Sequence, residues 1–377
     1  YTLVGLVDEW LADDALGPEE QQKEGQVIIN SLCSYIRSPF PLAEKIDEYE
    51  ARKELKELES KNPDTLLLDE SPKLNILRKR FEDSAEYQEP DNIAALQVAF
   101  HEEQDVRRAI FEELNKRSSK VSMDKNMEVT VTPGTWSTFG FNFSRAPIFY
   151  PLNNLTIEQG NFVSARFYGE ADFNGAKFTG NANFEDAKFI GNASFINTEF
   201  TGSAYFSYAE FAGAADFDNA KFTGNANFED VKFTGNASFT NTEFTENAYF
   251  SDTEFTGSAY FGHAEFAGAA DFDNAKFTEN ANFRGAKFIG KTSFEEAHFE
   301  KYAPTFADDA GSTQFSAQVD PQDYLFETCP ESPHGFSCGN AELLNRTFIL
   351  PRGAVLFDPD SWDEEKQEYT RISMPAQ

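Results

Sequence analysis

The stretch FTGNANFEDAKFIGNASF, Phe178 to Phe195, decides the fold. Its phenylalanines, Phe178, Phe184, Phe189 and Phe195, fall six, five and six residues apart, and the alternation runs unbroken from Phe162 to Phe299 with a period of 11. Two positions before each Phe stands a small residue. Of the 25 phenylalanines after Phe162, 20 have Ala there, four have Thr (Thr198, Thr242, Thr253, Thr292) and one has Val231. Phe and the residue at minus two therefore share one face of an extended segment, and the residue between them faces outward. A small side chain beside a large one lets successive layers pack inward without clash. Gly and Asn recur at the corners, which a helical stripe would reject. The pattern reads as a β-solenoid, each coil burying its apolar side only against the coils above and below.

Charge alternation fixes the coil length. At intervals of 22 residues the outward position before Phe reads Lys177, Glu199, Lys221, Glu243, Glu265, Lys287, and its companion reads Lys188, Glu210, Lys232, Glu254, Lys276, His298. Opposite charges alternate with one lapse, Glu243 beside Glu265, as cross-strand neighbours should. A coil of 11 would stack Lys177 on Lys188 and Glu199 on Glu210. Each coil is therefore predicted to have 22 residues and four sides, one Phe per side. Residues 162 to 299 hold about 6.3 such coils, a rod roughly 30 Å long at a strand spacing of about 4.8 Å.

The motif A(D/N)F-x-x-A-K-F, as in Ala182 to Phe189, resembles the pentapeptide-repeat family in its Phe-centred form. The resemblance covers Phe162 to Phe299, with weaker flanking coils at Leu152 and Ile157. It implies a mainly β chain: a right-handed four-sided β-helix, here preceded by an α-helical domain. Residues 24 to 40, 105 to 114 and 350 to 362 resemble the bacterial, mainly actinobacterial, members with helices before the repeats. In many of those a membrane segment precedes the helices, and here it would lie upstream of residue 1.

The expected organisation is a helical domain over 1–125, a lead-in with irregular coils over 126–161, the solenoid over 162–306 and a cap and tail over 307–377. Leu3, Val4, Val7 and Leu11 have the spacing of a helix already under way, so the helical domain is expected to be truncated at its start. Buried helices are predicted over 24–36 and 98–116. The charged run LAEKIDEYEARKELKELESK, residues 42 to 61, is predicted to be a solvated helix.

Composition excludes whole classes of function. The 377 residues carry 32 Lys and Arg against 64 Asp and Glu, a net charge of −32. A binder of nucleic acid or of an anionic membrane needs a basic face instead. No run of 18 apolar residues is present to span a bilayer. Cys33, Cys329 and Cys338 are too few for a secreted disulfide framework, so the cytoplasm is expected, or tethering to the inner face of the membrane through an upstream segment.

Candidate chemistry is sparse, and neither an enzyme nor a cofactor is predicted. Gly285 to Thr292, GAKFIGKT, satisfies the phosphate-binding loop pattern. That loop needs a helix after it, whereas Phe288 and Phe294 keep the repeat in phase. Cys329, His334 and Cys338 form a weak candidate metal set lacking a fourth ligand unless Glu331 supplies it. Free thiols in a Pro-rich turn, or a small disulfide loop, are the alternatives there. His263 and His298 read as surface substitutions in the repeat, in no triad with a nucleophile. Asp172, Asp216 and Asp271 face outward with no cleft implied. Thr179, Thr201, Thr223 and Thr245 form a column that strand preference alone explains.

The strongest surface feature is acidic. The two residues after every fourth Phe stack as Glu185-Asp186, Ser207-Tyr208, Glu229-Asp230, Ser251-Asp252, Asp273-Asn274 and Glu295-Glu296. Residues 162 to 301 hold 21 acids and 10 bases. The leading expectation is a non-enzymatic scaffold that presents such a surface to a protein partner. Family members that protect DNA gyrase imitate duplex DNA, so the resemblance also allows an acidic DNA mimic acting on a DNA-binding protein such as gyrase. A mimic should be acidic around more of its circumference than this single ridge, which places that reading second.

Overall fold

The computed structural model describes residues 2–61, 70–81, 87, 91–123, 129–149, 152–308 and 311–377. From Lys177 to Phe299 the chain climbs in coils of 22 residues, each contributing one two-residue strand to each of four parallel ladders. One ladder runs from Gly140–Asn142 through Ala182–Asn183 to Tyr324–Leu325, and another from Thr156–Ile157 through Lys177–Phe178 to Val355–Phe357. A third joins Pro147–Ile148 to His298–Phe299, and the fourth joins Ala171–Asp172 to Ala281–Asn282. The register is the one the charges predicted: Lys177 lies opposite Glu199, Lys188 opposite Glu210, Glu243 opposite Glu265 and Lys276 opposite His298.

Phenylalanine fills the interior. Phe184, Phe206, Phe228, Phe250 and Phe272 stack in one column with ring centroids 4.8 to 4.9 Å apart, all completely buried. A facing column, Phe195, Phe217, Phe239 and Phe261, meets the first edge to face at 5.3 to 5.6 Å, with interplanar angles near a right angle. Stacking along the rod and edge-to-face contact across it satisfy both favourable aromatic geometries at once. Ala at minus two is buried beside nearly every ring. The Thr replacements at Thr198, Thr242 and Thr253 are buried too, and each hydroxyl donates to a Phe carbonyl 25 residues earlier (2.7 to 2.9 Å).

Two kinds of corner alternate. After Phe184 the Ala187 N–H donates to the Phe184 carbonyl (3.0 Å) while Asp186 takes φ +56, the geometry of a type II turn. The next corner is wider and its column is mostly Gly, packed closely on the coil below: a Cβ on Gly224 would lie 2.6 Å from the carbonyl carbon of Gly202, although Glu246 and Glu279 occupy the same position in other coils. Asn beside this column closes the corner. Asn181, Asn192, Asn225 and Asn236 each accept a backbone N–H from one coil above through Oδ1 (3.0 to 3.2 Å).

Among the described residues five helices precede the rod: α1 (Thr2–Leu11), α2 (Pro18–Ile36), α3 (Pro41–Ser60), α4 (Glu70–Phe81) and α5 (Ile93–Ser118). Helices α1, α2 and α5 and the start of α3 share one hydrophobic core with the solenoid, whereas Ala51 and Leu58 of α3 and Leu74 and Leu77 of α4 form a separate cluster. Ile29, Cys33 and Ile36 of α2 and Phe111 and Leu114 of α5 join the cluster that contains Trp136, Phe139, Phe141 and Phe143. Gln26 of α2 pairs with the first strand as a strand would: its amide donates to the Gly140 carbonyl (2.7 Å) and accepts the Gly140 N–H (3.0 Å). The helices therefore cap the open lower edge of the rod, which an uncapped solenoid would leave as unpaired backbone. The expected division at 125–126 lies outside the described residues. Helix α3 departs from expectation: the charged run is not solvated all round, since Ala43, Ile46, Ala51 and Leu58 are buried. Ladder pairing also continues past residue 306, with Phe315 stacked 5.0 Å above Phe288 and Gln314–Ser316 paired to Lys287–Phe288.

Candidate interaction surface

The residue pairs of the acidic ridge line up coil on coil. Backbone bonds join Asp186 N–H to Ser207 (3.0 Å), Tyr208 N–H to Glu229 (3.1 Å), Asp230 N–H to Ser251 (3.1 Å) and Asp252 N–H to Asp273 (2.9 Å), so the pairs lie one coil apart in line. Part of this acidity has a conformational origin. Positive φ recurs every 11 residues, at Gly175, Asp186, Asn197, Tyr208, Asn219, Asp230, Asn241, Asp252, His263, Asn274, Gly285 and Glu296. Nine of these 12 positions carry Asp, Asn or Gly, the residues that tolerate a left-handed backbone. The signal was present in the sequence as a recurring second residue after every other Phe.

Some ridge carboxylates are already engaged. Glu229 accepts from the Asn227 amide (2.8 Å) and from the Ser251 hydroxyl (3.4 Å), and Asp273 accepts from the Glu295 N–H (2.8 Å) and from Ser293. Two of the four sides, one bordering the ridge and one not, are neutralised by cross-coil ion pairs: Lys177–Glu199 (2.7 Å), Lys188–Glu210 (2.9 Å), Lys221–Glu243 (3.2 Å), Lys287–Glu265 (3.6 Å) and Lys276–Glu254 (3.8 Å). The ridge thus carries charge that the rod does not balance internally. Tyr208 interrupts it, 56% exposed at φ +62, where its counterparts are Asp186, Asp230, Asp252, Asn274 and Glu296. The negative charge of Asp230, foremost, pushes its phenol above the ordinary value, with Glu229 and Glu185 adding to it.

Asp216 and Asp271 face outward but are only half exposed. Their Oδ1 atoms accept the Asp218 and Asp273 N–H groups (2.9 Å each), so they serve as turn caps. Burial, partly offset by those hydrogen bonds, raises both carboxyls above the usual range.

The remaining sequence candidates are placed as follows. Gly285 to Thr292 forms a turn, a strand and a corner, and no helix follows; Lys291 pairs with Asp323 (3.1 Å). Cys329, His334 and Cys338 are not gathered: all three cysteines are free thiols, and among the described residues no group of three or more His, Cys, Asp and Glu could hold a metal ion. His298 is a correction. It is more than a surface substitution, because its Nδ1 lies 3.3 Å from Cys329 Sγ and its Nε2 lies 2.9 Å from Glu300 Oε2. Sequence reading missed this set because Cys329 is 31 residues from His298 and outside the repeat. Among the described residues no helix is long and apolar enough to cross a membrane.

No curated protein and no solved structure matches the chain. The family model described as pentapeptide repeats (9 copies) matches in overlapping segments, 162–209, 195–243, 217–264, 239–286 and 272–308. Those segments coincide with the Phe-lined coils: over residues 162 to 308 the chain matches the pentapeptide-repeat model and folds as a β-solenoid.

Proposed function

We propose that the chain is a non-enzymatic scaffold whose solenoid presents the acidic ridge to a protein partner, with Tyr208 as the aromatic centre of the contact. The observation that carries this reading is the unbalanced charge of the ridge on a rod two of whose four sides neutralise themselves. Glu185, Asp186, Glu229, Asp230, Asp252, Asp273, Glu295 and Glu296 face the partner, and a modest basic patch is the complementary surface. Exposed aromatic residues surrounded by polar groups are the usual anchors of such contacts, and the attraction should fade with salt over a screening length of about 8 to 10 Å.

The test is affinity capture with the full chain and with a variant carrying Asp186→Asn, Asp230→Asn, Asp252→Asn and Glu296→Gln. A partner retained at low salt and lost with the variant supports the reading. Capture that ignores both salt and the ridge charges refutes it. The DNA-mimic reading is disfavoured by spacing, since eight ridge acids spread over six coils of about 4.8 Å give one charge per about 3.6 Å of rod, whereas duplex DNA carries one per about 1.7 Å. Gyrase supercoiling is expected to be unaffected by the purified chain. Strong inhibition that vanishes with the ridge charges would promote mimicry over the scaffold.

A further inference from the structure

We infer that Cys329 is a reactive thiol served by His298 and Glu300, a site of thiol–disulfide exchange with small-molecule disulfides. His298 ends its ladder, and the segment around Cys329 covers that open strand. The Cys329 N–H donates to the Ala297 carbonyl (3.1 Å), Ser332 Oγ accepts the Phe299 N–H (2.8 Å), and the His334 N–H donates to the Phe299 carbonyl (3.3 Å) on the same open edge. These bonds fix Cys329 Sγ 3.3 Å from His298 Nδ1.

Glu300 sets the tautomer. Its carboxylate lies 2.9 Å from Nε2, so the neutral ring keeps its hydrogen there and turns an unprotonated Nδ1 to the thiol. A nucleophile bonded to a base, with the base oriented by a third group, is the general arrangement of an activated thiol. The imidazole side chain is 21% exposed and Cys329 is partly exposed, so a small molecule reaches the pair from solvent. The charged neighbour on the ladder is Lys276, opposite His298 and engaged with Glu254 (3.8 Å). The other two thiols lack such a base: Cys33 is buried and pushed up to about 12, and burial alone raises Cys338.

In the exchange, Cys329 Sγ attacks one sulfur of a disulfide RSSR as its proton passes to His298 Nδ1. The S–S bond breaks, a Cys329–S–S–R bond forms, and the departing thiolate takes the proton from Nδ1 to leave as RSH. The disulfide is the oxidant, and no other co-reactant enters.

The experiment uses the full chain with dithiodipyridine as the neutral probe. Release of pyridinethione is followed by absorbance, and mass mapping gives the extent of modification at each cysteine. At neutral pH Cys329 should react at least about tenfold faster than Cys338, a modest share of what a positioned base supplies. His298→Asn should remove that advantage, and Glu300→Gln should remove part of it while Glu300→Asp restores some. The Cys338 rate in each variant, unchanged, reports that the fold is intact. Equal rates at Cys329 and Cys338 in the unaltered chain, or a Cys329 rate untouched by His298→Asn, overturn the inference.

Discussion

Removing one ring from the centre of the rod tests the architecture directly. Phe228 is completely buried between Phe206 and Phe250, each 4.9 Å away and parallel, and it meets Phe217 and Phe239 edge on at 5.4 Å. Burial of roughly 150 Å² of aromatic surface at about 25 cal/mol/Å² corresponds to about 4 kcal/mol. The stacked pairs add about 0.5 to 1.5 kcal/mol beyond area. Collapse around the gap is opposed, because each neighbouring ring belongs to a strand held in register by its own ladder. Phe228→Ala should therefore fall in the range of about 3 to 5 kcal/mol seen for buried aromatics. Phe228→Leu keeps most of the volume and should cost less, about 1.5 kcal/mol or slightly more. The assay is denaturant unfolding followed by far-UV circular dichroism, with the midpoint shift converted through an unchanged slope. A loss below about 1 kcal/mol for the Ala variant would show that the column is not the core. A Leu variant as unstable as the Ala variant would show that filling the column is not what matters.

Three further outcomes follow from particular residues. Tyr208→Asn places a residue suited to φ +62 and should raise the melting temperature while weakening partner capture; a fall in stability would contradict the assigned strain. Asp216 and Asp271 have folded pKa values above their unfolded ones, so the stability they contribute is full below the unfolded carboxyl range and is lost as pH rises through the folded value. Asp216→Asn and Asp271→Asn keep the Oδ1 cap that Asn227 already provides at Glu229, and should raise the melting temperature at neutral pH but not in acid. Equal gains at both pH values would remove the titration argument. Thr242→Ala deletes a hydroxyl bonded to the Phe217 carbonyl, but the Ala220 N–H still donates to that carbonyl (3.0 Å). Its cost should stay near 1 kcal/mol in the same unfolding assay, and a loss of several would mean that the Thr positions lock the register.

What the sequence determined by itself is whatever repeats. The 5 and 6 spacing of Phe, the small residue at minus two and the Lys–Glu alternation at 22 residues specify coil length, four sides and register, because every coil meets a near copy of itself. The ridge from Glu185 to Glu296 was legible for the same reason, although its left-handed turns give the acids a second, conformational role. Tertiary structure decided the contacts made once. Gln26 closing the edge at Gly140, Ile29 and Phe111 entering the solenoid core, and Cys329 reaching His298 join segments of unrelated sequence. No periodicity announces such contacts. They arise where the repeat stops and the open ends of the ladders must be covered, by whatever neighbouring chain supplies hydrogen bonds and apolar surface.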